Sequence, residues 1–370
     1  MNIGILTFHY AHNYGAVLQA YALKTYLESL GHVVTILDYR NKHIVHEYPK
    51  NLKPRFPKKY IFNTKKWGYI HEDFERCFYS RVNWKNRYIK FEMFIATKLL
   101  NKSSHEWVKL YKESDALFFG SDQIWEVNIV GEDEKVYFGE LDTNSKKISY
   151  AASCFDPNRL AQSKKIASIS RFDYISTREE TLAEILRDYY PELNIQIVAD
   201  PVFLLEKEEY LKIATKKDEQ GYILAYFVTE NKNLSKVCEY LRNVEKKEVI
   251  EIHYFNTKKI CNKYQITDVG PEEFLGYLLG ANEILTNSFH GTAFSIIFGK
   301  QFWSFSNNIR IVDVLKKIKL QNRQVVSYDD WIFKKNSVID YSEINRMVEK
   351  LRINSKEYIK NTLSGGKREK

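Results

Sequence analysis

The chain has 370 residues, 44% of them hydrophobic, with a net charge of +9. That length exceeds what one core holds comfortably, so two domains are expected, and the ordinary apolar content excludes a disordered chain. No stretch approaches about 20 consecutive apolar residues, and no nucleic-acid-binding module accompanies the positive charge, so neither a membrane span nor a nucleic-acid partner is expected.

Residues 3–8 (IGILTF) read as a buried strand and 9–15 (HYAHNYG) as a polar, aromatic loop. A helix over 16–30 follows from the spacing of Val17, Leu18, Tyr21, Leu23 and Leu27, closed by Gly31. VVTILDY (33–39) is a second buried strand, and this order predicts a parallel sheet covered by helices. Residues 40–110 are irregular, basic and aromatic, and read as an insertion or mobile flap. Within them, residues 50–66 carry seven Lys/Arg and no acid. That run is either a solvated loop or a landing strip for an anionic membrane face or a charged glycan.

Order returns with DALFFGSDQIW (115–125), KISYAAS (147–153), FDYISTREE (172–180) and IQIVADP (195–201). Each ends in small or polar residues, as strand tips do when they line a cleft. The pattern then restarts: strands at 221–229, 248–254, 283–288 and 301–305 alternate with helices at 231–245, 271–280, 291–299 and 308–320. The expected fold is α/β, two Rossmann-like domains (1–200 and 201–340) facing a central cleft, with a C-terminal helix and frayed tail over 341–370. The aromatic content of 15% suits core packing first, and stacking on sugar rings second.

Cys77, Cys154, Cys238 and Cys261 are scattered, with no CxxC pair and no histidine at ligand spacing, so neither a zinc site nor a disulfide framework is expected. No carboxylate or His/Asp array calls for another metal. The start, MNIGILTFHY, lacks the basic segment and apolar run of a secretion signal, and a reduced, cytoplasmic protein is expected, bound at most peripherally to the inner membrane face.

Six segments, HNYGAVLQAYAL (12–23), GSDQIW (120–125), STREE (176–180), ADPVFLL (199–205), VGPEEFL (269–275) and TNSFHGTAFS (286–295), together resemble the polysaccharide pyruvyl transferase family. The resemblance implies a domain arrangement similar to GT-B glycosyltransferases. It also implies transfer of the pyruvyl group of phosphoenolpyruvate onto a sugar hydroxyl pair of a surface-polysaccharide precursor, lipid-linked or nucleotide-linked, giving a ketal and phosphate; with no metal-binding array in the residues, catalysis by protein groups alone, without a cofactor, is expected. Two rival functions stand beside it: a glycosyltransferase using a sugar nucleotide on the same scaffold, and a non-catalytic glycan-binding or scaffold subunit.

Ketal formation needs cations and backbone donors for a compact polyanion, and a group that carries a proton near neutral pH. His290 suits the second need, as acid, base or phosphate-holding cation. The N–H groups of Gly291, Thr292 and Ala293, at the start of a helix, are expected to seat phosphate or carboxylate, with Ser288 and Thr292 adding hydroxyls. Arg178 is either a two-pronged grip on the donor, as the resemblance implies, or a salt bridge to a nearby carboxylate. Asp122 either accepts or orients an acceptor hydroxyl, or caps a turn. Gln123, Trp125 (by stacking), Asn13, Tyr14 and Gly15 are expected at the acceptor, whereas His9 and His12 read as structural. Asp200–Pro201 reads as a stiff domain junction without a catalytic part.

Overall fold

The computed structural model describes residues 1–45, 47–48, 50, 67–218, 220–253 and 265–367, the side chains of 67–80 excepted. Most of the basic run 50–66 therefore lies outside the described residues, as do Cys261 and the Cys77 side chain.

The first half forms β1 (Asn2–Leu6), α1 (Tyr14–Ser29), β2 (Val33–Ile36), α2 (Lys42–Val45), α3 (Trp67–Phe94), α4 (Trp107–Glu113) and β3 (Ala116–Phe119). It continues through α5 (Val127–Val130), β4 (Lys146–Ser149), α6 (Pro157–Gln162), β5 (Ile175–Thr177), α7 (Glu180–Tyr189) and β6 (Ile195–Ile197). The second half forms α8 (Lys207–Leu211), β7 (Ile223–Tyr226), α9 (Lys232–Asn243), β8 (Val249–Ile252), β9 (Gln265–Ile266), α10 (Pro271–Gly280) and β10 (Glu283–Thr286). It ends with α11 (Phe289–Ile297), β11 (Gln301–Ser304), α12 (Ile309–Lys317), α13 (Tyr328–Lys334) and α14 (Tyr341–Ser364).

Both sheets are parallel, as the near-continuous apolar strands require: ALFF of β3 and ILAY of β7 are buried throughout. The first sheet has the order β2-β1-β3-β4, and parallel bridges Ile148–Tyr174 and Ala152–Thr177 extend it to β5 and β6. The second has the order β11-β10-β7-β8-β9. In each sheet the chain builds to one side and then jumps across its first strand. The strand order thus reverses between β1 and β3, and again between β7 and β10. Crevices open beyond the C-terminal ends of strands at such reversals. Here the two crevices face each other.

The domains share a core. One apolar cluster runs from Ile3 and Ile5 of β1 through α1 to Leu224, Ile284 and Phe294, and on to Tyr358 of α14. Tyr14 is its pivot, fully buried, with its ring stacked on Phe274 at 4.2 Å and its hydroxyl donating to Val269 O at 2.9 Å. Residues 40–110, expected to be irregular, contain the 28-residue helix α3. Trp84, Phe91 and Phe94 bury one side of it, while Lys90 binds Glu273 at 2.8 Å and Asn83 binds Thr267 at 3.0 Å in the second domain. Helix α14 returns the tie. Tyr358 donates to Ser149 O at 2.9 Å, Lys146 Nζ donates to Thr362 O at 2.8 Å, and Ala199 N donates to Ser355 Oγ at 2.9 Å.

Tyr14→Ala is expected to cost about 3–5 kcal/mol, the range for truncating a buried aromatic. Tyr14→Phe keeps the stack and loses only the hydrogen bond, about 1 kcal/mol. Urea unfolding of the two variants beside the parent chain measures the difference.

Candidate active site in the interdomain cleft

The facing crevices form a cavity of about 760 Å³, lined from the first domain by Phe8, Asn13, Asp122 and Gln123 and from the second by Thr229, Asn287, Ser288, His290 and Arg310. His290 stands in its wall because α11 starts there. Ser288 caps the helix in extended conformation and its Oγ accepts from Gly291 N at 3.2 Å. The helix begins two residues earlier than expected, which moves the anion seat. Gly291 N is taken by the cap and Thr292 N bonds Ser288 O at 3.0 Å, so the N–H groups without an intrahelical acceptor belong to Phe289 and His290. Gly291 is needed for a different reason: a Cβ there would come within 2.5 Å of Thr286 Oγ1. Thr292 is fully buried, bonded to Ser288 O and Ser304 Oγ, and offers nothing to a ligand.

The imidazole is held on both edges. A Cβ on Gly15 would sit 1.8 Å from His290 Nδ1, so the ring lies directly on the bare Cα at the start of α1. Asn13 makes that close approach regular by capping α1, accepting from Gly15 N at 2.9 Å. Gly15 is thus a platform for His290 and not an acceptor contact. On the other edge Nε2 faces Asp200 Oδ2 at 3.6 Å, an ion-pair distance beyond hydrogen-bonding range, and has no hydrogen-bond partner among the described residues.

Asp200 is fully buried. Its Oδ1 accepts from Val202 N at 3.1 Å, and its Oδ2 accepts from Ser121 Oγ at 3.2 Å and from Arg178 Nη1. Burial alone would raise its carboxyl pKa, but His290 and Arg178 outweigh burial and hold it well below the usual carboxylate range. Arg178 in turn donates from Nε to Glu179 at 2.8 Å and from Nη2 to Ser153 Oγ at 2.9 Å, and its guanidinium lies 4.5 Å from the Phe289 ring centroid. The structure brings Arg178 and His290 together on one carboxylate, but Arg178 does not line the central cavity. Its salt-bridge role is the one observed.

The guanidinium facing the cleft is Arg310, which the sequence reading missed. Asn308 caps α12 and also accepts from Arg310 Nε at 3.0 Å, which aims the side chain. Its nearest carboxylate is Asp122 Oδ1, across the cleft at 3.9 Å. Burial, then repulsion from Arg178, lower its pKa, so a bound anion would relieve the strain on its charge. One signal was readable in SNNIRIVDV: a cation in the first turn of a helix opposes the dipole unless an anion sits there too.

Asp122 is where it was expected, at the tip beyond β3, with φ +67° and its Oδ1 accepting from Gln123 N at 3.0 Å. Gln123 and Asn13 line the cleft beside it. Two expected acceptor contacts are core instead. Tyr14 is the interdomain pivot, and Trp125 is fully buried, with Nε1 donating to Tyr137 O and its ring against Phe172 at 5.5 Å. His9 and His12 are paired with Asp38 at 3.0 Å and Glu92 at 2.8 Å, in keeping with structural parts. Cys154 and Cys238 are buried free thiols, and no group of three or more potential metal-binding side chains occurs among the described residues. No described helix is long and apolar enough to cross a membrane.

The family model described as Polysaccharide pyruvyl transferase matches residues 13–309, most of the chain. The chain belongs to this family. Membership makes it a transferase of polysaccharide biosynthesis. No curated protein matches it. Among solved structures it is similar to UDP-GlcNAc 2-epimerase from Neisseria meningitidis bound to UDP-GlcNAc, with TM-score 0.53 and 12% identity, over 98% of this chain and 99% of that one. It is similar also to the Methanocaldococcus jannaschii UDP-GlcNAc 2-epimerase in complex with UDP-GlcNAc and UDP, with TM-score 0.50 and 16% identity, over 95% and 100% of the two chains. At these identities the likeness shows the fold, which is of GT-B type.

Gly15→Ala is expected to push the imidazole off its seat without unfolding the chain. Turnover should fall at least tenfold, about 1.4 kcal/mol in barrier, while the melting temperature moves by only a few degrees. Activity assays paired with thermal melts check this.

Proposed function

We propose that the protein transfers the pyruvyl group of phosphoenolpyruvate to a hydroxyl pair of a surface-polysaccharide precursor, forming a cyclic ketal and releasing phosphate. The observation that carries this reading is the single wall made by His290, the Phe289 and His290 N–H groups and Arg310. A proton carrier, helix-end donors and a guanidinium stand together where a small polyanion fits.

In this reading Arg310 and the helix N–H groups hold the phosphate and carboxylate of the donor. Protonated His290 delivers a proton to C3, and the positive character this creates at C2 draws in the first sugar hydroxyl. Asp122, on the opposite wall, receives that hydroxyl's proton. The C2–O bond to phosphate then breaks, and the second hydroxyl closes the ring. Of the two hydroxyl protons, one replaces that taken up by C3, returning to His290 through solvent, and the other leaves with phosphate. The cavity lies within the ~300–1,000 Å³ usual for small-molecule sites, which leaves space for a sugar beside a three-carbon donor. The run 50–66, with its seven Lys/Arg, is proposed to meet an anionic membrane face when the acceptor is lipid-linked.

The test incubates the purified chain with phosphoenolpyruvate and an extract of glycan precursors. Phosphate release together with acid-labile pyruvate on glycan is the expected result. Consumption of a sugar nucleotide with phosphoenolpyruvate untouched would sink the proposal. Arg310→Ala is expected to raise KM for phosphoenolpyruvate by about 10–100-fold, matching the loss of a charged hydrogen bond. His290→Ala is expected to lower kcat by about 10²–10⁴-fold. Steady-state kinetics on variants verified as folded by circular dichroism measure both.

A further inference from the structure

The proposed reaction gives no task to the ion network behind His290. We infer that Asp200 is the positioning carboxylate of His290, and that Arg178 serves the reaction by holding Asp200 and not by touching the donor. The kinetic part of this inference rests on the proposed pyruvyl transfer; its structural part does not.

Each nitrogen of Arg178 already donates to a partner inside the protein. Nε goes to Glu179, Nη1 to Asp200 and Nη2 to Ser153, while Phe289 covers its face. Phe289 also stands in the wall of the central cavity, which Arg178 does not reach. Asp200 has both oxygens fixed, and its backbone is anchored as the cap of the turn Pro201–Leu204. A carboxylate so placed decides two things for the ring in front of it. It favours a proton on Nε2, which leaves Nδ1, the atom above Gly15, to exchange protons on the cleft side. It also stabilises the imidazolium once formed, by the attraction that a carboxylate exerts on the orienting side of other catalytic histidines.

Arg178 is required for that effect. A carboxyl with 1% exposure would otherwise drift toward its neutral form, which does nothing for an imidazolium. The guanidinium keeps the charge in place. Nε2 and Oδ2 stand 3.6 Å apart, within ion-pair reach. The titratable and charged groups that line the cavity with the ring include Asp122, His43 and Glu47 from the first domain and Arg310 from the second, while Glu179 stands behind Arg178.

Asp200→Asn and Arg178→Lys, made in the full chain, decide the matter by two measurements. The first is an NMR titration of labelled histidine side chains without substrates, the His290 signal being assigned by its loss in His290→Gln. Removing the carboxylate should weaken proton binding at His290 about tenfold, moving its midpoint to lower pH, with a smaller move in the same direction for Arg178→Lys. An unmoved midpoint in Asp200→Asn overturns the inference. The second is steady-state kinetics across pH. Both variants should lose kcat at least tenfold while KM for phosphoenolpyruvate stays within about twofold, and the imidazole limb of the pH–rate profile should move with the titration. A tenfold rise in KM for Arg178→Lys, with kcat and the limb unchanged, would make Arg178 a donor contact and overturn the inference. Should Asp200→Asn fail to fold, the Arg178→Lys kinetics decide alone. Because the titration needs neither phosphoenolpyruvate nor glycan, its result stands apart from any failure of the proposed reaction.

Discussion

The imidazole of His290 rests on a residue that has no side chain, and much of the molecule exists to keep it there. A ring that close to the Cα of Gly15 requires α1 of the first domain to abut α11 of the second, with no layer of side chains between. Such an approach tolerates no slack. The Tyr14–Phe274 stack supplies apolar contact beside it, α3 reaches from the first domain into the second, and α14 returns in the other direction. A GT-B fold is often pictured as two lobes hinged at a cleft. Here three separate ties cross the junction and hold the histidine on its platform.

The charges divide into a buried set and an available set. Arg178, Glu179, Asp200 and Ser153 bond one another behind the wall of the central cavity. Buried ion networks of this kind add little net stability, since desolvation offsets their attraction, but breaking one by removing a single partner is costly. Their use is to hold one oxygen atom in front of Nε2. The available set is Arg310, Asp122 and the first N–H groups of α11, which meet across the cavity with few internal partners. Two guanidiniums near each other therefore have different tasks, and what separates them is the accounting of their hydrogen bonds.

Much of this was legible in the residues. The alternation of apolar runs with helical spacing gave the two parallel sheets, and small polar residues at strand ends pointed to the cleft. Asp122, Gln123, Asn13, Ser288 and His290 all line it. Tyr14 and Trp125 misled because an aromatic beside a loop motif looks the same whether it stacks on a ligand or on Phe274 and Phe172. Gly15, Gly291 and Thr292 were rightly singled out but for the wrong reason: their smallness or hydroxyl serves packing inside the protein. Residues 67–94 did not read as a helix because their aromatic and charged residues mask the period, the described side chains 81–94 being buried on one side only in part.

The sequence by itself determined the architecture, the family and the histidine proposed to carry the proton, because these follow from local patterns that survive without knowing what lies opposite. The tertiary structure alone decided which charges are spent and which remain. Hydrogen bonds that join Arg178 to a carboxylate 22 positions along the chain, or set an imidazole upon a glycine from the other domain, depend on distances in space that no local spacing encodes.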